Sequence, residues 1–250
     1  MKLADYRQLV KQLETQDDIE KIAAETEYDR DFLLVIYSQV MVQLATKKYH
    51  KIKHLAPKLH AQWKRGKSFL KIAKKIEFSP VLTGLLILKE EGISRKMYRK
   101  YLNNLDELND KRLKKELAEV IENDIVYSPK GNEIQALRGQ KGEELLNEWL
   151  TKCNIKFQTE KEIANTYKKT PDFLLEEPIN VRGIDVHWIE SKATFGTRRE
   201  IKKNLKNQLL PYRELLGNGM VIYWFGFITP TPMVEGILIE DGEFIRKWRE

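Results

Sequence analysis

The spacing of hydrophobic positions changes about half-way along the chain. Up to about residue 127 they recur every three to four residues, as in Tyr6, Leu9, Val10 and Leu13 and again in Phe32, Leu33, Val35, Ile36 and Val40. That is the period of a helix with one buried face. Ser79 followed by Pro80 supplies an N-cap and a proline at the first helical position, and Gly92 closes that helix. From Ile155 onward, short β-branched or aromatic runs take over. They lie at Asp172–Leu175, Val186–Ile189, Met220–Ile228 and Gly236–Ile239, with Gly, Pro and Asn between them. One more helix is expected among them, over about Arg198–Leu216. The stretch Tyr127-Ser128-Pro129-Lys130-Gly131-Asn132 is rich in turn residues and marks the boundary. The expectation is an α+β protein, with a helical domain over residues 1–127 and an α/β domain over 132–250.

The helical half contains a repeat at an offset of 50 residues. Ile22-Ala23 matches Ile72-Ala73, Glu27-Tyr28-Asp29 matches Glu77-Phe78-Ser79, and Phe32 matches Leu82. Each copy reads as a short helix, a turn and a second helix capped by Asp29 or Ser79, the outline of a helix-turn-helix. Both second helices are apolar, which suits packing in a scaffold better than reading base edges.

Composition narrows the class. The chain has 250 residues, 42% of them hydrophobic, enough for one large domain or two small ones with a real core. The single cysteine, Cys153, excludes a disulfide framework and a Cys-rich zinc site and reads as buried filler. No apolar run approaches the ~18 residues of a membrane span, and the N-terminus lacks the apolar core of a signal peptide. An intracellular, cytoplasmic protein without a membrane partner is expected.

The net charge of +7 is unevenly placed. Residues 47–115 carry 20 basic and 6 acidic groups, whereas residues 131–250 carry 18 of each. Lys47–Ile76 holds 11 Lys or Arg and no Asp or Glu. Lys47, Lys48, Lys51, Lys53, Lys64, Arg65, Lys67, Lys71, Lys74 and Lys75 are the candidate nucleic-acid contacts, with Tyr49 and Trp63 available for stacking. The alternative is a solvated lysine-rich face.

Candidate chemistry lies in the other half. Asp172 opens the run Asp172-Phe173-Leu174-Leu175 after Thr170-Pro171, and His187-Trp188-Ile189-Glu190-Ser191-Lys192-Ala193 follows. Side chains alternate across a strand, so Glu190 and Lys192 share one face and Ser191 takes the other. A turn at Asn180–Gly183 lets the two strands pair as a hairpin, which gathers two carboxylates and an ammonium at one sheet edge. Carboxylates are the hard ligands of Mg2+ or Mn2+, while a lysine can orient an attacking water and stabilise charge on a pentavalent phosphate. Glu143 or Glu144, near the start of an amphipathic helix, offers a third carboxylate. His187 reads as a packing residue.

Thr170-Pro171-Asp172, the His187–Ala193 run with Phe195-Gly196, and Val221–Ile228 resemble the TPD-motif family of PD-(D/E)XK nucleases. The match is specific over about residues 139–239 and looser over the helical half. It implies a restriction-endonuclease-like core, a central mixed sheet flanked by helices, which would be joined to the helical domain with the two helix-turn-helix-like repeats read above. It further implies a Mg2+- or Mn2+-dependent deoxyribonuclease, a phosphodiester hydrolase of DNA repair or processing. Asp172 and Glu190 would be metal ligands, Lys192 the catalytic lysine, and Glu143 the helix carboxylate that completes the metal site. Gln208 and Tyr212 match the Gln-x-x-x-Tyr of related RecB-like nucleases, although Pro211 should bend that helix. DNA is the expected partner, whether single-stranded, duplex or branched, and both a homodimer and a protein partner stay open. The alternatives are an RNA substrate and a non-catalytic binding module on a nuclease scaffold.

Overall fold

The structure is a computed structural model that describes residues 1–248. It divides into two units, Gln12–Gln135 and Met1–Lys11 with Ala136–Glu250. The first helix, α1 (Leu3–Gln12), belongs with the C-terminal unit. It is held there by Tyr6, stacked on Phe195 at 5.6 Å, and by the N-terminal ammonium, which donates to the Phe227 carbonyl at 3.0 Å.

The first unit is helical: α2 (Asp17–Glu25), α3 (Arg30–His54), α4 (Ala56–Lys64), α5 (Phe69–Ile76), α6 (Pro80–Glu90), α7 (Arg95–Asn103), α8 (Lys111–Glu122) and the start of α9 (Pro129–Lys152). The expected caps form. The Asp29 carboxylate accepts from the Asp31 and Phe32 N–H groups, and the Ser79 hydroxyl oxygen accepts from that of Leu82. The two second helices differ in length, 25 residues in α3 and 11 in α6, so Lys47–His54 continues α3. Phe69, Ile72, Ile87, Leu117 and Val120 sit at the centre of the core.

Trp63 is part of that core, contrary to the expectation that it is free to stack on bases. Its indole N–H donates to Glu116 at 3.1 Å, its ring stacks on Phe69 at 5.4 Å, and the Arg112 guanidinium lies over it. The buried Glu116 carboxylate also accepts from the Phe69 N–H and from Arg112, so neither the indole nor the charge is left unpaired. Tyr49 is half-buried against the same core.

The turn-rich stretch at 127–132 becomes a helix start. Ser128 accepts from the Gly131 N–H at 3.1 Å, Pro129 opens the helix, and α9 runs on unbroken to Lys152. Gly131 is needed because a Cβ there would lie 2.0 Å from the Ile125 carbonyl oxygen. The division between the units therefore falls inside α9, at Gln135, and not at the turn.

The second unit is built on a five-stranded mixed sheet in the order β1-β2-β3-β4-β5: β1 (Phe157–Thr159), β2 (Phe173–Val181), β3 (Ile184–Lys192), β4 (Gly219–Tyr223) and β5 (Ile237–Asp241). β1–β2 and β2–β3 are antiparallel, β3–β4 and β4–β5 parallel. The hairpin forms where the sequence puts it, with strands longer than the apolar runs suggest. Arg182 and Gly183 at its tip both have positive φ, as a tight two-residue turn requires. The register slips between Leu174 and Ile179, around Pro178, which has no N–H to offer a ladder. The run Met220–Ile228, expected as one strand, is interrupted after Tyr223 by a turn in which the Gly226 N–H donates to the Tyr223 carbonyl at 2.9 Å, and Phe227 then forms an isolated bridge with Gly196. β1 and the short helix α10 (Glu160–Ile163) were not expected from the sequence.

Helices cover both faces of the sheet. Leu146, Trp149 and Leu150 of α9 pack on Phe173, Val186, Ile189, Met220 and Ile222. The other face, with Trp188, Val221 and Tyr223, carries Ile201 of α11 (Arg198–Asn204), Leu209 of a π-helical turn (Leu205–Leu209) and Tyr212 of α12 (Leu210–Leu216). The helix expected over about 198–216 is thus present in three pieces. A final helix, α13 (Gly242–Lys247), follows β5.

Candidate active site

Asp172 ends the loop before β2, and Glu190 and Lys192 lie at the C-terminal end of β3, so the hairpin brings all three together as the alternation predicts. Two hydrogen bonds interlock the strands there. The Asp172 N–H donates to Glu190 Oε2 at 3.2 Å, and the Ser191 N–H donates to Asp172 Oδ2 at 2.7 Å. Lys192 Nζ donates to Glu190 Oε1 at 2.5 Å. Glu190 is only 2% exposed.

Two carboxylates and one ammonium leave a surplus negative charge in a dry place. Burial, and next the charge of Glu190, push the Asp172 carboxyl up to about 8, with Glu143 adding to the rise. Burial also raises Glu190, against the pull of Lys192. Such a site favours a proton or a cation.

Glu143 lies on α9 in the same cleft as Asp172. Glu144 lines it too, but its carboxylate accepts from Gln140 at 2.7 Å. The charge of Glu143 is among those that raise Asp172. α9 can approach because Gly142 faces β3: a Cβ there would lie 2.6 Å from Trp224 Nε1 and 2.9 Å from Ser191 Oγ, which are hydrogen-bonded to each other at 2.9 Å.

Tyr212 is buried edge-on against Trp188 at 5.4 Å. Burial raises its hydroxyl, and so do the charges of Glu190, Asp172 and Glu160. Gln208 is half-buried in the π-helical turn one turn earlier. Pro211 cannot donate to the Asn207 carbonyl, which accepts instead from Lys169 Nζ at 2.9 Å. The proline irregularity is thereby tied to the Lys169–Pro171 loop that presents Asp172.

Glu160 is a carboxylate that sequence reasoning missed. Its N–H donates to the Asp172 carbonyl at 3.0 Å, it lines the cleft, and its charge raises both Glu190 and Tyr212. The Thr159–Glu162 capping box marks a helix start in the sequence, but nothing in the spacing points from Glu160 to Asp172. His187 packs beside Gly217, in keeping with a packing role, and Cys153 is half-buried at the edge of the core.

The donor set is all carboxylate, which fits Mg2+ or Mn2+. Among the described residues no three His, Cys, Asp or Glu side chains are gathered into a group able to hold a metal by themselves. Asp172 and Glu190 would hold such an ion as a pair, with water and a substrate phosphate completing its shell and Glu143 across the cleft. This is how Mg2+ is commonly bound, since it dehydrates reluctantly.

The basic residues are spread over α3, α4, α5 and the turn between α4 and α5, which holds Arg65 and Lys67. Lys47, Lys51 and Lys53 on α3 and Lys71, Lys74 and Lys75 on α5 are exposed and make no ion pair among the described residues. Lys48 is paired with Glu77 at 3.2 Å and Lys64 with Glu91 at 2.7 Å. Lys67 donates to Gln62, and Arg65 to the Ala61 carbonyl. No helix among the described residues is long and apolar enough to cross a membrane.

The chain resembles a set of curated proteins all called CDAN1-interacting nuclease 1. That of Danio rerio is 37% identical over 69% of this chain and 61% of its own length. Those of Mus musculus and Homo sapiens are each 32% identical over 78% of this chain and 76% of their own. No solved structure matches. A family model described as "Protein of unknown function TPD sequence-motif" matches residues 109–243, which include Glu143, Asp172, Glu190, Lys192 and Tyr212. By motif, by extent and by these relatives, the chain belongs to the TPD sequence-motif family.

Proposed function

We propose that this protein is a divalent-metal-dependent nuclease with a PD-(D/E)XK core that hydrolyses phosphodiester bonds in DNA. The observation that carries the reading is the interlocked Asp172–Glu190–Lys192 set at the open end of the hairpin. The relatives' name, nuclease, supports the activity, and the "CDAN1-interacting" part of it supports a protein partner of that kind here. A role in DNA processing or repair rests on the same reading.

A bound Mg2+ or Mn2+ would supply Lewis-acid stabilisation of the phosphoryl oxygens. The chain's own residues do the rest. Asp172 and Glu190, fixed by their hydrogen bonds across the two strands, would hold the metal ion. Lys192, held by Glu190, would orient the attacking water and stabilise the charge that develops on the phosphoryl oxygens. Tyr212, buried against Trp188, would act on the carboxylates through packing and charge and not by direct contact with the substrate. The uncompensated carboxylates disfavour a phosphate without a metal, so cleavage should stop in EDTA.

The test is a panel of end-labelled single-stranded, duplex, flap and junction DNAs, with an RNA arm, in Mg2+, Mn2+ and EDTA. Glu190→Ala and Lys192→Ala should each reduce cleavage by roughly 10²–10³-fold, the usual cost of losing one electrostatic stabiliser, while binding and folding persist. Undiminished cleavage by both variants would overturn the reading. Activity on RNA alone would change the substrate and leave the site assignment standing.

A further inference from the structure

The helical unit contains a cleft of about 340 Å³ between α6, α7 and the start of α9. Its floor is apolar: Leu82 and Leu85 of α6 and the ring of Tyr127, all half-buried against the core. Arg95 and Arg99, one turn apart on α7, line it as well. Both are exposed and neither makes an ion pair among the described residues. Two amides complete the lining. The Asn103 side-chain N–H donates to the Arg99 carbonyl at 2.7 Å and that of Asn132 to the Ser128 carbonyl at 3.0 Å, which leaves the amide oxygens as the groups with capacity to accept.

We propose that this cleft takes one unstacked nucleotide of a single-stranded DNA, its base on the Leu82–Leu85–Tyr127 floor and its phosphate between Arg95 and Arg99. The volume lies in the ordinary range of small-ligand sites, about 300–1,000 Å³, and suits a base with its sugar. Paired guanidinium groups suit phosphate oxygens. The amide oxygens meet the ring N–H and exocyclic amino groups of a base, which an acidic peptide side chain does not offer. The excess of 20 basic over 6 acidic groups in residues 47–115, the stretch that contains Arg95 and Arg99, attracts a polyanion to this part of the unit. A base stacked in duplex cannot enter, so the pocket selects a single strand or an opened end. This goes beyond the nuclease reading, because the pocket would bind whether or not the carboxylate site cleaves.

The test is fluorescence anisotropy of the full chain in EDTA with a fluorescein-labelled ten-residue oligothymidylate and, separately, a blunt duplex. Asn103→Trp fills the cleft from an exposed position without changing charge, and the double variant Arg95→Ala/Arg99→Ala removes the guanidinium pair. Each should weaken oligothymidylate binding about ten-fold, the scale of one base stack. Asn103→Trp should leave duplex binding within about two-fold, and thymidine 5′-monophosphate should displace the probe from the wild type. Unchanged oligothymidylate binding by Asn103→Trp would overturn the proposal. So would equal losses on both DNAs, or displacement by a polyglutamate peptide but not by the nucleotide. EDTA keeps the result independent of cleavage: loss of the proposed nuclease activity would leave this binding in place.

Discussion

At Asp172 backbone and side chain both serve the neighbouring strand. The N–H holds Glu190, and the carboxylate receives the Ser191 N–H. Asp172→Ala should therefore both abolish cleavage and cost about 1–3 kcal/mol of stability, because it orphans a half-buried N–H. Asp172→Asn keeps one acceptor and should recover most of the stability but not the activity, a split that thermal melts and cleavage rates resolve. The proximity of Asp172, Glu190 and Lys192 is legible from strand alternation and a nearby turn. Glu160 is not legible, because β1 is only three residues long and its pairing with β2 is a tertiary event. Trp63 shows the opposite failure. Its basic neighbours suggest exposure, yet the buried Glu116, 53 residues away, claims its N–H.

Asp124, in the helical unit, offers a second test at this scale. It accepts from the Ser79 hydroxyl and from the N–H groups of Val81, Val126 and Tyr127, yet burial raises its carboxyl above the ordinary 3.8. A raised folded-state pKa contributes stability that is complete below the unfolded value and is lost as the pH climbs through the folded one. The stability of the wild type relative to Asp124→Asn should fall as the pH rises from about 4, as read from denaturant midpoints. The asparagine also puts donors against donors, so that variant should be less stable by about 1–3 kcal/mol near neutrality.

Among the elements, α9 and the α11–α12 segment decide whether the site is assembled. α9 brings Glu143 forward only because Gly142 allows close approach. Gly142→Ala would press a methyl group into Trp224 and Ser191 and should cost about 1–3 kcal/mol as overpacking. It should also slow cleavage, since the helix must retreat and take Glu143 with it. An unchanged melting temperature would show that Trp224 simply turns aside. The α11–α12 segment had a readable extent and a readable irregularity at Pro211. Its resolution as a π-helical turn, with Lys169 capping the freed Asn207 carbonyl, needed the neighbouring loop. The caps at Asp29 and Ser79 were readable because capping is local. The length of α3 was not, because its second half is held by packing of Ala45 and Ile52 in a core assembled from other helices.

Over the whole molecule, the excess positive charge is concentrated in one stretch of the helical unit, residues 47–115 with 20 basic and 6 acidic groups, whereas residues 131–250, which carry the carboxylate site, hold 18 of each. Neutralising Lys47, Lys48, Lys51 and Lys53 together should flatten the salt dependence of DNA binding, by about 0.9 in log–log slope for each phosphate that is no longer neutralised. Lys48 is already engaged by Glu77, so a change worth about three phosphates, and not four, is the expected result. An unchanged slope would assign the run to a solvated face. By itself the sequence determined the two textures, the helix caps, the hairpin that unites Asp172 with Glu190 and Lys192, and the uneven charge. All of these depend on residues close in the chain or on simple periodicity. Only the tertiary structure decided that Glu143 and Glu144 line one cleft with Asp172, that Glu160 joins them there, that Trp63 is core and that the first helix belongs with the C-terminal unit. Those outcomes depend on which distant surfaces exclude water together, and nothing in the local spacing records that.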